Sequence, residues 1–317
     1  MERATCIAGF RYLHDRELAP DGRSHIRIGG TSKLRPSPVF PVTWQKLFSR
    51  PDPGHHIVQL YRDKVFFAEA VSRFVGEGLR QSECVIVMAS DAHWVSVSKR
   101  LEQAGVDLGR ALQEGQIQAR EAGSALAGFM EDGMPQWNPF RKEIGGAIAQ
   151  GIRSHGRVRV FGEMVDILWR DGRREAAIRL EEFWNRLGRE RQFSLLCAYF
   201  LDNLDRSIYG GPLECICRSH SHLIPTPDSA RLDAAVGEAA LQVLGKPLAS
   251  MLSTLARRHK PPAEMPHAQA MLFWLGANMP HTAEKVLSRV REQLAEDRAR
   301  PAKAAGGMNR AQPNCSQ

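Results

Sequence analysis

Glu163 is the residue whose position most invites a chemical interpretation, and it lies within residues 158–169. The first half of this stretch alternates apolar and polar residues between Gly156 and Gly162, which predicts a short strand ending at a glycine. The second half carries apolar residues at helical spacing, so we expect a helix to begin close to Gly162. Glu163 would then lie at the carboxyl edge of an α/β sheet, where ligands usually bind. A carboxylate there can contact a ligand, cap the helix or interact with its positive end, and the spacing does not choose between these roles.

A second set of candidate ligands lies within residues 215–222, where Cys215, Cys217, His220 and His222 fall close together. We predict a strand or extended arm for residues 215–224, which would place the two cysteines on one face and the two histidines on the other. The spacing also lacks the Cys-x-x-Cys pattern of structural zinc sites. We therefore expect no metal and no cofactor here, and we expect one or both histidines to line a ligand pocket.

The sequence lacks the patterns of several enzyme and nucleotide-binding sites. The apolar stretch at 84–89 is followed by Ser-Asp-Ala-His-Trp, which has neither the glycines nor the lysine of a phosphate-binding loop. No Gly-x-Ser-x-Gly elbow occurs, and Cys197 has only apolar neighbours in sequence, with nothing to lower its pKa. We therefore expect a protein that is not an enzyme. The remaining enzymatic alternative uses Glu163 as a general base.

Strands that alternate with helices must position these residues. The predicted strands cover 56–61, 84–89, 116–120, 158–162 and 193–200, and the predicted helices cover 66–79, 92–104, 124–132, 139–154 and 173–190. This alternation predicts βαβ units and a mostly parallel sheet with helices on both faces. After a linker at 225–228 the pattern is helical, at 232–244, 247–258, 265–278 and 282–297. His56 and Tyr61 fall on opposite faces of the first strand.

Composition favours a cytoplasmic globular protein. The formal charge of +8 comes from basic residues that are spread along the chain, which is more typical of a solvated surface than of a nucleic-acid site. The six cysteines show no spacing typical of a disulfide framework. We see no signal peptide and no apolar run near the ~20 residues that cross a membrane, so we expect no membrane partner.

Three segments together resemble a known family. They read His-Ile-Val-Gln-Leu-Tyr-Arg-Asp at 56–63, Phe-Gly-Glu-Met-Val-Asp-Ile-Leu-Trp at 161–169, and Leu-Glu-Glu-Phe-Trp-Asn at 180–185 leading into Ser-Leu-Leu-Cys-Ala-Tyr at 194–199. In this order and spacing they resemble the MEDS domain, a sensory module named for methanogens and methylotrophs. The resemblance covers roughly residues 54–226.

The resemblance implies a RecA-like α/β domain that has lost its phosphate loop. It also implies the sensing of small molecules, proposed to be hydrocarbon derivatives, in signalling proteins and transcription regulators. Family members are often fused to a histidine kinase or a DNA-binding domain, and the helical segment here shows neither pattern. The residues that match the family's motifs are His56, Tyr61, Asp63, Glu163, Trp184, Cys197, Tyr199, His220 and His222.

These observations predict four regions: a poorly ordered extension (1–53), a sensory α/β domain (54–227), a helical module (228–298) and a disordered tail (299–317). In the leading hypothesis Glu163 and His56 contact a small molecule, Trp184 and Tyr199 form apolar walls, and the helical module relays the bound state to a protein partner. The second hypothesis is a regulator that binds DNA through its basic surface and helical tail.

Overall fold

The computed structural model describes residues 42–202, 204–209, 211–224, 229–258 and 263–299. Most of the predicted extension, the linker at 225–228 and the tail from residue 300 therefore lie outside the described residues. The described end of the extension forms helix α1 (Val42–Ser49), as the short apolar pattern there indicates. Leu47 and Phe48 of α1 are buried in the core.

A single parallel sheet organises the described chain. Its strands are β1 (His56–Tyr61), β2 (Cys84–Ala89), β3 (Ile117–Glu121), β6 (Val158–Gly162), β7 (Ser194–Phe200) and β8 (His222–Leu223), while β4 (Met130–Glu131) and β5 (Met134–Pro135) form a separate hairpin. The strand order is β3–β2–β6–β7–β1–β8, and each neighbouring pair is parallel. The predicted α/β fold with a C-terminal helical region is confirmed.

Helices cover both faces of this sheet. After α1 they are α2 (Lys64–Arg80), α3 (Asp91–Gln103), α4 (Leu108–Gln113), α5 (Ala122–Ala127), α6 (Trp137–His155), α7 (Met164–Arg170), α8 (Arg174–Glu190), α9 (Arg206–Tyr209) and α10 (Pro212–Ser219). Helices α1 to α4 share one apolar core, which includes Phe67 and Trp94. Helices α5 to α10 share the core on the other face, which includes Phe140 and Trp184.

Local sequence explains where these elements begin and end. All six residues of β2 are buried, as expected for a continuous apolar run covered on both faces. The carboxylate of Asp63 accepts hydrogen bonds from the amides of Val65 and Phe66, so it caps the first turn of α2. Gly105 adopts a φ of 82° just beyond α3, a backbone conformation that favours glycine at a helix end.

Two predicted elements are wrong. Residues 215–219 belong to the helix α10 rather than to a strand, because Pro212 starts a helix and Leu213, Ile216 and Cys217 have helical spacing. Only His222–Leu223 forms a strand there. The helix predicted at 124–132 ends at Ala127, because the Asp-Gly pair at 132–133 adopts positive φ angles and turns the β4–β5 hairpin.

The C-terminal region consists of α11 (Ser229–Arg258), α12 (His267–Asn278) and α13 (Pro280–Ala299). Helix α11 is kinked at Gly245, whose φ is 74°, just before Pro247, which matches the two separate helices predicted there. Its buried residues join the core of the α8 face of the sheet. Among the described residues, no helix combines the length and the apolar content that crossing a bilayer requires.

Candidate functional site

The structure places Glu163 at the predicted strand-to-helix junction, but its carboxylate is engaged within the protein. One oxygen accepts a hydrogen bond from the Ser90 amide (2.6 Å), and the other lies 2.7 Å from Nδ1 of His93. The side chain does not cap its own helix, α7. Only 1% of Glu163 is exposed. Its carboxylate therefore links β6 to the start of α3, and a ligand would have to displace one of these partners to reach it.

Tyr61 lies on this same face of the sheet, packed on Phe67 with ring centroids 4.5 Å apart. Its hydroxyl donates to Oδ2 of Asp166 (3.2 Å). Burial raises the pKa of the Tyr61 phenol, and the nearby carboxylate of Asp166 raises it further. The hydroxyl therefore stays protonated and acts as a donor. As predicted, Tyr61 faces away from His56.

Four other side chains converge on the opposite face of the sheet. They are His56 at the start of β1, Glu181 in α8, Cys197 in β7 and His220 after α10, and one ligand atom from each lies within 4.8 Å of those of the others. All four residues are buried. We call them the Glu181 cluster. The parallel register explains part of this arrangement, because His56 and Cys197 lie on neighbouring strands with their side chains on the same face.

The carboxylate of Glu181 is the centre of the cluster. Its Oε2 lies 3.2 Å from Nε2 of His56, and its Oε1 accepts a 2.6 Å hydrogen bond from the Tyr199 hydroxyl. Burial raises the pKa of this carboxyl, but His220 and His56, through the positive charge that each ring carries when it is protonated, and the Tyr199 hydroxyl outweigh burial, so the pKa of Glu181 is lowered. Glu181 is therefore an anion inside the core.

The Cys197 thiol and the His220 imidazole are neutral in this arrangement. Burial, followed by the Glu181 charge, raises the pKa of the Cys197 thiol well above its ordinary value. Burial and the neighbouring His56 lower the pKa of His220 to about 4. At neutral pH the thiol is protonated and a poor nucleophile, and the His220 imidazole is uncharged.

A cleft of about 250 Å³ opens beside this cluster, at the edge of the sheet where β1 and β7 begin. Its lining includes His55, His56, Trp184, Asn185, Gly188 and Phe193. We call it the amino-edge cleft. The position differs from the carboxyl edge expected from the sequence, and Glu163 is not among its lining residues. The sequence predicted Glu163 and His56 as polar contacts of one ligand and Trp184 and Tyr199 as its apolar walls. The cleft contains His56 and Trp184. Tyr199 does not line the cleft, and its hydroxyl contacts Glu181 instead.

His222 and Ser221 connect the cluster to the C-terminal helices. The Ser221 amide donates to the His56 carbonyl (2.7 Å), and the Ser221 carbonyl accepts from the Glu264 amide (2.8 Å). Nε2 of His222 lies 3.5 Å from a carboxylate oxygen of Glu264. His222 therefore lies at the junction with the helical region rather than in the cluster.

Sequence reasoning missed Glu181 and His93. Glu181 had a detectable signal, since it lies on the buried face of α8, four residues after Ala177 and three before Trp184. An acidic residue on the apolar stripe of a helix must find a partner in the core, because burying an unpaired charge is costly. His93 had no comparable signal, because it follows β2 in sequence and meets Glu163 only through the pairing of β2 with β6.

A comparison with protein families identifies the domain. The family model described as "MEDS: MEthanogen/methylotroph, DcmR Sensory domain" matches residues 55–221, which is over half of the chain. The chain belongs to the MEDS family. No curated protein and no solved structure matches the chain. The MEDS domain assigns a sensory role in signalling to this protein. Its matched range includes the whole Glu181 cluster and ends at Ser221, where the contact with Glu264 begins.

The two alternative functions stay hypotheses. Direct DNA binding would use arginines of the C-terminal helices, of which Arg289 is paired with Glu292 (2.7 Å) and Arg291 donates to the Leu204 carbonyl (2.6 Å). Catalysis would use Glu163 as a general base, and both oxygens of that carboxylate already accept hydrogen bonds.

Proposed function

We propose that this protein is a non-catalytic signalling regulator whose MEDS domain binds a small molecule in the amino-edge cleft and relays its presence to helices α11 to α13. The observation that carries the proposal is that one residue, His56, belongs to both the cleft and the buried Glu181 cluster. A ligand in the cleft would thus contact a side chain whose other ring nitrogen reaches into the core.

The lining of the cleft suggests the chemistry of the ligand. Trp184, Phe193 and Leu195 provide apolar surface, while His56 and Asn185 provide polar groups. A few polar groups on an apolar wall are typical of small-molecule sites, although about 250 Å³ is small for such a site. We infer a compact molecule with an apolar body and one polar group, which includes simple hydrocarbon derivatives.

The relay we propose runs through the backbone of Ser221. His56 and Ser221 are joined by three hydrogen bonds, since the Ser221 hydroxyl also accepts from the His56 amide (3.1 Å) and donates to the His56 carbonyl (3.0 Å). Glu264, which leads into α12, binds the Ser221 carbonyl on the other side. A ligand that favours one position of His56 would therefore favour one position of Glu264.

Gly188 offers a test that leaves the fold intact. It lines the cleft from within α8, and a Cβ atom added there has no heavy atom within 4 Å. In Gly188→Leu the new side chain starts in open space beside the cleft, and leucine is the better helix former by about 1 kcal/mol. The matched control is Gly146→Leu, because Gly146 also lies in a helix with open space at its Cβ but is outside the cleft.

The measurement is calorimetry of the full chain with a panel of small alcohols, haloalkanes, amines and carboxylic acids. We expect a ligand that binds the wild type and Gly146→Leu equally and Gly188→Leu at least about tenfold more weakly, a loss of roughly 1.4 kcal/mol. Equal binding by all three proteins would place the site elsewhere. Hydrogen exchange then tests the relay, because unchanged exchange in α11 to α13 on ligand binding would contradict it.

A further inference from the structure

The two histidines of the Glu181 cluster are held in the orientation of metal ligands. Nδ1 of His220 lies 2.6 Å from the Ile216 carbonyl, which can only accept, so this nitrogen carries the proton. Nε2 of His220 therefore carries a lone pair. That nitrogen is buried and has no hydrogen-bond partner among the described residues. A buried imidazole fixed by a backbone carbonyl, with its other nitrogen unsatisfied, is typical of a metal-binding histidine.

The His56 ring is also oriented by a hydrogen bond at its Nδ1 atom. The Asn185 amide group donates to the Ser219 carbonyl (2.9 Å), which directs its Oδ1 toward Nδ1 of His56 at 3.1 Å. Since Oδ1 only accepts, Nδ1 of His56 carries a proton, and Nε2 points to Cys197 Sγ at 3.3 Å. Both imidazoles thus direct Nε2 toward the same small volume.

One contact in the cluster is unfavourable unless a cation joins it. Nε2 of His220 lies 3.5 Å from Oε1 of Glu181, and no hydrogen bond joins the two atoms. The lone pair of a neutral imidazole faces a carboxylate oxygen there. Two buried acceptors at this distance repel each other, and a positive ion between them would remove that repulsion.

Three distances between the ligand atoms are close to those of a tetrahedral site. Metal–ligand bonds of about 2.0–2.3 Å in tetrahedral geometry place ligand atoms roughly 3.3–3.8 Å apart. Nε2 of His56 lies 3.2 Å from Glu181 Oε2 and 3.3 Å from Cys197 Sγ, and the sulfur lies 4.0 Å from that oxygen. Small shifts of the four side chains would bring their ligand atoms to bonding distance around one ion.

We propose that His56, Glu181, Cys197 and His220 bind one divalent transition-metal ion of the zinc class, through both Nε2 atoms, a carboxylate oxygen and the sulfur. Imidazole and thiolate ligands select such ions over Mg²⁺ and Ca²⁺, which require oxygen ligands. Binding displaces the Cys197 thiol proton to solvent. The thiolate and the carboxylate then balance the charge of the ion, so the buried site is neutral. This inference goes beyond the proposed function and does not depend on it.

Cobalt is the probe that reports on the ligands. The full chain, purified under reducing conditions and treated with a chelator, is titrated with Co²⁺ and separately with Zn²⁺. We expect one equivalent of either ion to bind, the melting temperature to rise, and Co²⁺ to produce the thiolate charge-transfer and tetrahedral absorption bands. A wild-type protein that binds neither ion, or that binds Co²⁺ without the thiolate band, would overturn the proposal.

Variants assign the ion to this cluster. Cys197→Ser should lose the thiolate charge-transfer band of the cobalt spectrum, and His220→Gln should lose its tetrahedral bands. Both variants should bind Zn²⁺ at least tenfold more weakly than the wild type. Cys217→Ser is the matched control, because Cys217 is a buried thiol of α10 outside the cluster, and it should behave as wild type. Retained binding in Cys197→Ser, or loss in Cys217→Ser, would contradict the assignment. If Cys197→Ser does not fold, the wild-type cobalt spectrum and the Cys217→Ser control decide the question.

The closing control separates the two proposals. Gly188→Leu fills the amino-edge cleft but leaves all four ligand residues in the chain, so it should bind Co²⁺ with the wild-type spectrum. Failure of small-molecule binding with an intact cobalt spectrum would contradict only the proposed function. Absence of the cobalt signature with an intact small-molecule response would contradict only the metal site.

Discussion

Nε2 of His56 lies 3.2 Å from Oε2 of Glu181, although the two residues are far apart in sequence and belong to a strand and a helix. The contact joins the edge of a solvent-accessible cleft to a carboxylate that is 2% exposed. It gives the MEDS domain of this protein a direct connection between the amino-edge cleft, the ligand site that we propose, and its polar core.

The first prediction concerns Glu163, the residue that the sequence favoured as a ligand contact. Glu163→Gln replaces a charged acceptor of the Ser90 amide and the His93 ring with a neutral one. We expect a loss of about 1–2 kcal/mol in unfolding free energy, because hydrogen bonds to charged groups are the stronger ones. Affinity for a ligand of the amino-edge cleft should not change.

Thermal unfolding and calorimetry on the same preparations measure both effects. His93→Gln is the control, since it removes the partner of the same hydrogen bond and should destabilise the protein to a similar extent. A Glu163→Gln variant with wild-type stability and weaker ligand binding would contradict this prediction and would show that Glu163 contacts the ligand.

The second prediction concerns Arg159, a fully buried arginine in the central strand β6. It pairs with Glu83 and donates to the Phe48 carbonyl (2.6 Å) and the Ser49 carbonyl (3.0 Å) at the end of α1. In Arg159→Met the buried Glu83 loses its innermost partner and α1 loses its attachment. Breaking such a pair costs about 3–5 kcal/mol, and denaturant unfolding measures the loss.

Arg157 is the control for Arg159, because it contacts the same Glu83 carboxylate (3.1 Å) from a position 39% exposed. Arg157→Met should cost about 1 kcal/mol or less, as solvent screens the pair. Equal losses of unfolding free energy in the two variants would show that burial of the Arg159 guanidinium does not determine how much its ion pair stabilises the protein.

The third prediction tests how α12 packs on the MEDS domain. A Cβ atom at Gly276 would lie 2.6 Å from Cβ and 2.9 Å from the carbonyl oxygen of Tyr209 in α9. Gly276→Ala should therefore push α12 away from α9 and destabilise the protein by about 1–3 kcal/mol, the usual cost of overpacking. Hydrogen exchange in α9 and α12 should increase.

Gly237→Ala in α11 is the matched substitution, because a Cβ there has no heavy atom within 4 Å. It should stabilise the protein by up to about 1 kcal/mol, since alanine restricts the unfolded chain and favours the helix. If Gly276→Ala behaved in the same way, the close approach of α12 to Tyr209 would be refuted.

The fourth prediction is a pH dependence in the C-terminal helices. Burial and then Arg257 lower the pKa of His267, against an opposite effect of Asp233. The unfolded chain therefore takes up the proton first as the pH falls below about 6.5. Stability that is present above this pH is lost below it, until the pH passes the folded pKa of His267.

Unfolding free energies of the wild type and of His267→Gln, measured between neutral and mildly acidic pH, test this sign. Glutamine does not titrate and can keep a contact to the Ser253 hydroxyl, which lies 3.1 Å from Nε2 of His267. The wild type should lose more stability on acidification than the variant does. Identical pH profiles would remove His267 as a source of the effect.

Local patterns in the sequence determined most of the secondary structure and the family. Apolar spacing located α2, α6 and α8, and a continuous apolar run located β2. These features depend on residues within one or two turns of each other, so a single sequence contains them. The motifs at 56–63, 161–169 and 180–199 likewise sufficed to identify the MEDS family.

Only the tertiary structure decided which candidate residues meet. His56, Cys197 and His220 share one cluster because of the parallel pairing of β1 with β7 and with β8, whereas the carboxylate of Glu163 is taken by His93 because β2 pairs with β6. Strand order and helix packing are properties of contacts between distant segments, and hydrophobic periodicity carries no information about them. For the same reason the sequence could not place the cleft at the amino edge or make Glu181 the centre of the site.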